Sequence, residues 1–365
     1  MALPLFDTGA QLHEVREEVN RAIAGVVESG RFILGPEVEA FERELAEYLA
    51  VRHVVGVANG TDAITIALRS LGVGPGDDVI VPSFTFYASA EAIPHTGARP
   101  VFCDVDPETF CLTAETVERA LTPATRAVIP VHLFGGVAPV AELRQLLDGR
   151  RVAIVEDTAQ AAGARRGGHR AGGLGNAATF SFFPSKNLFC LGDGGAIATD
   201  DDDVAATARV LRFHGSRDKS TYTDVGWNSR LDALQAAVLR VTLGRLDDWN
   251  SRRRDLAAAY ERDGLGELVD LPRAAADEEP AHHLYVVRTD DPDAASRALS
   301  EAGIAARSYY RVPVHMQPAM RPWAPAHDLP GTMRAAATNL ALPMGPTLGA
   351  DAARQVVEAL RGGGP

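Results

Sequence analysis

Seven short runs of apolar and β-branched residues recur along the first two-thirds of the chain, separated by stretches with helical spacing. They lie near 54–58 (VVGVA), 79–86 (VIVPSFTF), 100–105 (PVFCDV), 127–134 (AVIPVHLF), 152–157 (VAIVED), 178–183 (ATFSFF) and 194–199 (GGAIAT). A strand with one face in water alternates apolar and polar residues; several of these do not, so both faces must be covered. Strands of that kind, spaced by helices, predict a mostly parallel sheet between helical layers, an α/β domain. From about 229 to 262 the spacing turns helical, with Leu231, Leu234, Ala237, Val238 and Val241 on one face, and reads as one long helix leaving that domain. Beyond Pro272 come a strand (LYVVRT), a helix over 291–302, an extended segment (ARSYY) and two terminal helices. The chain therefore divides into a large α/β domain over 1–250 and a small α+β domain over 251–365, with the closing RGGGP expected to fray.

The length of 365 residues and 46% hydrophobic content provide for a sizeable core. A formal net charge of −12 argues against nucleic acid or an anionic membrane surface as the general partner, so an anionic ligand needs a local site. Cys103, Cys111 and Cys190 are too few and too scattered for a disulfide framework or a zinc site, which fits a reducing compartment. No apolar run approaches the roughly 18 residues that span a bilayer, and the N-terminal stretch has neither the basic start nor the apolar core of a signal peptide. The expected location is the cytoplasm.

Lysine is nearly absent. Only Lys186 and Lys219 accompany 34 arginines. A lysine amine can lose its proton and attack a carbonyl, which an arginine does not do, so Lys186 in SFFPSKNLFCLGDGG is a candidate for Schiff-base chemistry as well as for a surface residue. Three other stretches stand out. In ANGTDAITIAL a strand ends at Asn59-Gly60 and a helix begins at Thr61; free amides there suit a phosphate, and an ordinary cap by Thr61 or Asp62 is the alternative. VAIVEDTAQ ends an apolar strand in Glu156-Asp157, where α/β sheets meet their ligands, or where Asp157 or Thr158 caps a helix. In GWNSRLDAL, Asn228 and Arg230 precede the long helix and could equally be capping and surface residues. One cofactor uses all four stretches together with Ser181: pyridoxal 5'-phosphate needs a lysine for its aldehyde, a carboxylate for its pyridine nitrogen, phosphate donors, and a flat side chain on its ring.

The order of motifs resembles, over nearly the whole length, the DegT/DnrJ/EryC1/StrS family of pyridoxal phosphate-dependent sugar aminotransferases. The likeness rests on GRFILGPEVEAFERELAEYL, NGTDAI, GPGDDVIVPSFTFYAS, PVHLFG, EDTAQAAGA, SFFPSKNLFCLGDGGAI, GWNSRLDALQAAVL and YYRVPVHMQP. It implies the aspartate aminotransferase type I fold. It also implies that Lys186 carries the cofactor as a Schiff base, Asp157 pairs with the pyridinium nitrogen, Gln160 lies near the ring and its phenolic oxygen, and Phe86 stacks on the ring. Gly60, Thr61 and Ser181 would hold the phosphate, and Asn228 would reach the phosphate of the neighbouring subunit of a homodimer. Arg230, Tyr310 and His315 would face the sugar nucleotide. The amino donor would be L-glutamate and the acceptor a nucleotide-linked keto-sugar.

Lys186 separates the chain from family dehydratases, which carry histidine at this place. Gln160 and Asp193 in GDGG point to amination at C3 of a dTDP- or UDP-linked 3-keto-hexose; C4 amination of a 4-keto-sugar, or amination of a keto-inositol, is the alternative. Gly136-Val137 and Arg311 depart from the family pattern in substrate-facing loops. Readings from other classes are weaker: GVGPGDD precedes a strand and lacks the register of a dinucleotide fingerprint, no histidine pair has metal-ligand spacing, and a regulatory, non-catalytic relative would carry the same motifs.

Overall fold

The computed structural model describes residues 3–362, so residues 363–365 of the tail expected to fray lie outside the described residues. The large sheet has seven strands in the order His53–Val57, Gly195–Thr199, Ala177–Ser181, Ala153–Asp157, Thr125–Val128, Asp78–Pro82 and Arg99–Cys103. Its pairings are parallel except those of Gly195–Thr199, which runs antiparallel to both neighbours. The near-continuous apolarity has the anticipated cause. Helix Gly60–Ser70 lies on the sheet with Ala63 through Leu68 all buried, alongside Val55, Val57, Val79, Val81 and Ile197. On the other face, Ile80, Val128 and Ile154 pack with Leu112, Val117 and Leu143.

Two strands stop earlier than the apolar pattern predicts. The run at 79–86 leaves the sheet after Pro82, although Phe84 remains buried in the core. The run at 127–134 ends at Val128; Pro130 has no N–H to donate, and the chain then turns tightly at Leu133–Gly135 with Phe134 at φ 58°. Both departures are at carboxyl ends of parallel strands, where the chain builds the cavity described below. Apolarity persists because these residues line a core, while the backbone keeps only isolated pairing, such as the Val131 bridge to Asp157, in place of a continuous ladder.

The single helix expected over 229–262 is two, Ala233–Leu243 and Leu246–Arg262, broken at Gly244, a residue that favours neither helix interior nor continuation. Trp249 of the second helix stacks on Phe189 in one cluster, whereas Leu256, Ala259 and Tyr260 pack with the C-terminal segment. There Tyr285–Arg288 pairs antiparallel with Asn339–Leu342, a four-residue strand too short to register in the sequence pattern. ARSYY contributes a lone bridge, Arg307 to Ala341, rather than a strand. Helices Pro292–Glu301, Pro330–Thr338 and Ala350–Gly362 complete the segment. Among the described residues no helix is long and apolar enough to cross a membrane.

Candidate active site

A cavity of about 350 Å³ opens at the carboxyl ends of the parallel strands. Gly60, Thr61, Phe86, Asp157, Gln160 and Ser181 line it, and so do Lys186 and Tyr310. Residues spread over 250 positions of sequence thus meet in one place.

The wall at residues 59–61 follows from strand His53–Val57 feeding helix Gly60–Ser70. Asn59, rather than Thr61 or Asp62, caps the helix: its Oδ1 accepts from the Asp62 amide at 2.8 Å. The first intrahelical bond is Ala63 N–H to Asn59 C=O, which leaves the Gly60 and Thr61 amides without a protein partner among the described residues. These are the donors a helix N-terminus offers an anion. Residue 60 must be glycine for close approach, since a Cβ there would sit 2.8 Å from the Ser181 Cβ. That contact brings the Ser181 end of its strand against the helix start.

Strand Ala153–Asp157 ends in two acids that alternation sends to opposite faces. Asp157 is buried at the cavity, where its Oδ2 accepts from the Ser89 hydroxyl at 2.6 Å and its Oδ1 from the Ala159 amide at 3.1 Å. Glu156 points away into a sealed nest. It accepts from the His132 Nε2 at 2.8 Å, the Gly172 amide at 3.0 Å, and the Leu174 and Gly175 amides at 2.7 Å each. Burial pushes the Glu156 carboxyl up, but these donors outweigh it and hold the group below the ordinary carboxylate range. Of the pair read from the sequence, Asp157 alone faces the cavity.

Lys186 sits in the turn after strand Ala177–Ser181, its amide bonded to the Phe183 carbonyl at 2.8 Å. Burial pushes its amine down to about 8, against a smaller upward pull from the Asp157 carboxylate. An amine so displaced is available as nucleophile and base far closer to neutrality than a surface lysine. Gln160 is oriented by the Phe134 amide, which donates to its Oε1 at 2.8 Å, while its Nε2 donates to the Tyr310 hydroxyl at 3.2 Å. Tyr310 closes an aromatic group with Phe84, Phe86 and Phe134, and burial pushes its hydroxyl well above its ordinary value. Phe86 is 53% exposed although it lines the cavity.

Arg230 and His315, expected to face the sugar nucleotide, lie outside the cavity of the single chain, as does Asn228, which is expected to serve the neighbouring subunit. Asn228 and Arg230 are joined to each other, Arg230 Nη2 donating to Asn228 Oδ1, on an outer loop where the guanidinium lies 5.6 Å from the Phe213 ring. Neither lines the cavity. His315 is also outside it, its Nδ1 paired with the Ser83 hydroxyl and its ring 6.3 Å from that of Phe102. Burial holds its pKa below the ordinary histidine value. Conversely, Ser89 and His283 line the cavity without having been singled out; a buried acid such as Asp157 needs a donor, and that need was the one available signal for Ser89.

The donor set fits pyridoxal 5'-phosphate: an amine of lowered pKa, an oriented carboxylate for a ring nitrogen, and two unpartnered amides with hydroxyls for a phosphate share one cavity. Comparison with known proteins agrees. Over 361 residues the chain is 47% identical to the dTDP-3-amino-3,4,6-trideoxy-alpha-D-glucose transaminase of Streptomyces venezuelae, covering 98% of this chain and 95% of that one. It is 42% identical over 362 residues to a pleiotropic regulatory protein of Geobacillus stearothermophilus, covering 98% and 97%. The crystal structure of S. venezuelae DesV in complex with a ketimine intermediate superposes with a TM-score of 0.96 at 47% identity, covering 99% and 98% of the two chains. The sheet is accordingly that of the aspartate aminotransferase type I fold. Residues 13–361 match the description DegT/DnrJ/EryC1/StrS aminotransferase family, and with the fold, the cavity and these relatives in agreement, the chain belongs to that family of pyridoxal phosphate-dependent enzymes.

Proposed function

We propose that this enzyme moves an amino group from L-glutamate to C3 of a nucleotide-linked 3-keto-hexose, as a cytoplasmic homodimer. The observation that carries the reading is the placement of Lys186, with its amine at about 8, in one cavity with the fixed Asp157 carboxylate and the free Gly60 and Thr61 amides. When bound, the cofactor supplies an electron sink for the carbanion formed as an amino acid loses its α-proton.

The residues have separable tasks. The Gly60 and Thr61 amides and the Ser181 hydroxyl bind the phosphate, and Asp157, held by Ser89, keeps a proton on the ring nitrogen. Phe86 offers the ring a face and Gln160 a donor for its phenolic oxygen. Lys186 would hold the cofactor through its amine, and the same Nζ, once free, would serve as the base that takes the donor's α-proton and as the acid that returns it to the carbon across the nitrogen, two atoms away. Lys186 is also the argument for catalysis over a purely regulatory role.

Amination at C3 is supported by the S. venezuelae relative, a transaminase named for a sugar with its amine at C3. A dimer is supported by the surface around Asn228: the loop before it exposes Tyr222 and Val225, and nearby Phe32 and Ile33, linked to Asp232 and Ala233 by backbone pairing, are exposed as well. Through such an interface Asn228 would reach the partner's phosphate. Arg230, Tyr310 and His315 would meet the nucleotide sugar.

An absorption spectrum tests the reading. Protein loaded with pyridoxal phosphate should turn yellow, bleach with L-glutamate, and regain the band with a dTDP- or UDP-linked 3-keto-hexose faster than with a 4-keto-sugar or keto-inositol. A band that glutamate leaves untouched overturns the donor, and recovery led by the 4-keto-sugar overturns the regiochemistry.

A further inference from the structure

His283 lines the cavity although the roles above make no use of it. It is 7% exposed, and its Nδ1 lies 3.2 Å from the Oδ1 of Asn187, the residue that follows Lys186. The hydrogen positions there are fixed by elimination. Asn187 spends both amide protons, one on Asn250 Oδ1 and one on the Ala281 carbonyl, each at 2.8 Å. Asn250 in turn donates to the Ala162 carbonyl at 2.9 Å, which fixes its own amide the same way round. Asn187 Oδ1 can therefore only accept, and His283 Nδ1 must carry the proton. That leaves Nε2 as a bare lone pair. It has no hydrogen-bond partner among the described residues, on a side chain that lines the cavity.

The surroundings keep the ring neutral. Burial lowers the histidine pKa well below its ordinary value, and the Lys186 and Arg253 cations add to the effect; Arg253 is itself buried, with no carboxylate partner among the described residues. Two acceptors on the other walls are engaged, Asp157 Oδ2 with Ser89 and Gln160 Oε1 with the Phe134 amide, while Asp193, a further carboxylate lining the cavity, is exposed. The same turn thus delivers an amine through Lys186 and, through Asn187, fixes an acceptor for it.

We propose that His283 is a positioning residue for Lys186: its unprotonated Nε2 accepts a hydrogen bond from the lysine amine once that amine is released, and turns the Nζ lone pair toward the proton it takes. This rests on the reading of Lys186 as the amine that carries the cofactor.

Two measurements test it. Long-range ¹H–¹⁵N NMR of the loaded and cofactor-free protein at pH 7 should show His283 as the neutral Nδ1–H tautomer; an Nε2–H tautomer or an imidazolium overturns the proposal. His283→Phe should keep the yellow band but slow its bleaching by glutamate roughly tenfold to hundredfold, while His283→Gln, which returns an acceptor to the ε position, should recover to within a few-fold. Bleaching of His283→Phe at the unmodified rate overturns the proposal. Should His283→Phe fail to fold, His283→Gln against His283→Asn, which keeps only the δ-side contact, makes the same comparison. A wild-type protein that never yellows would instead remove the Lys186 reading, an outcome the NMR result does not share.

Discussion

The cavity and the outer loop before helix Ala233–Leu243 carry candidate site residues under opposite conditions. Around the cavity, three polar side chains are fixed from behind: Asp157 by Ser89, Gln160 by the Phe134 amide, His283 by Asn187. On the loop, Asn228 and Arg230 have each other and solvent, with exposed apolar side chains nearby. The first region draws its fixed side chains from a single chain. The second has functional residue types but no site until another surface meets it. Perturbing the cavity should therefore act on the chemistry directly, whereas perturbing the loop should reach the cofactor only through subunit contact.

The largest effect belongs to the cavity. Lys186→Ala should abolish the yellow band and lower transamination by about 10⁴-fold or more, since nucleophile and proton carrier go together; retained turnover in a coupled assay would remove the central role of that amine. Asp157→Asn should lower turnover by about 10²- to 10³-fold, from loss of a charge placed where the ring nitrogen needs it. It should also move the Lys186 amine further down, because the carboxylate raises it; the pH dependence of amine modification in cofactor-free protein reads this directly.

The loop should answer differently. Asn228→Ala is expected to weaken cofactor retention about tenfold, the worth of one well-placed hydrogen bond, and only in the dimer. Ser181→Ala, which removes the hydroxyl given to the phosphate, should weaken it similarly whatever the assembly state. Equilibrium dialysis beside sedimentation separates the two, and a fully active monomer carrying Asn228 would break the comparison. The rate of cofactor capture should climb about tenfold from pH 7 to pH 9 and then level, as the fraction of free amine at a pKa of about 8 requires. A lysine with an ordinary pKa would keep climbing through that range, so stopped-flow capture rates decide. The same shift links to folding: between about 8 and 10.5 the folded chain binds fewer protons than the unfolded one, so cofactor-free protein gains stability as pH rises through that window. His315→Ala should change the acceptor KM a few-fold at most, with the glutamate half-reaction unaltered.

Much of this was legible in the residues because it is local. A rare lysine after an apolar strand, a strand ending in acids and a strand-to-helix turn at Gly60 each declare themselves within a few positions. Where the reading failed, the information was tertiary. Ser89 meets Asp157 across 68 positions and His283 meets Asn187 across 96, so no window of sequence contains either pair. The strands at 79–86 and 127–134 were overextended because apolarity reports burial and is silent about the ladder; Pro130 was the one local clue. The Gly244 break was visible in composition but outweighed by a continuous apolar face. At Thr61 the capping alternative gave way to Asn59, one more short polar side chain two positions earlier.

The back-to-back acids at the end of strand Ala153–Asp157 have one further consequence. Glu156 is clamped by three amides and an imidazole, and it can be so clamped only when its neighbour faces the other way. Sliding the strand by one residue would aim Glu156 at the cavity and drive Asp157 into a nest shaped for a longer side chain. The nest therefore acts as a vernier for the sheet: a carboxylate that never meets substrate sets, to within a single residue, which carboxylate does.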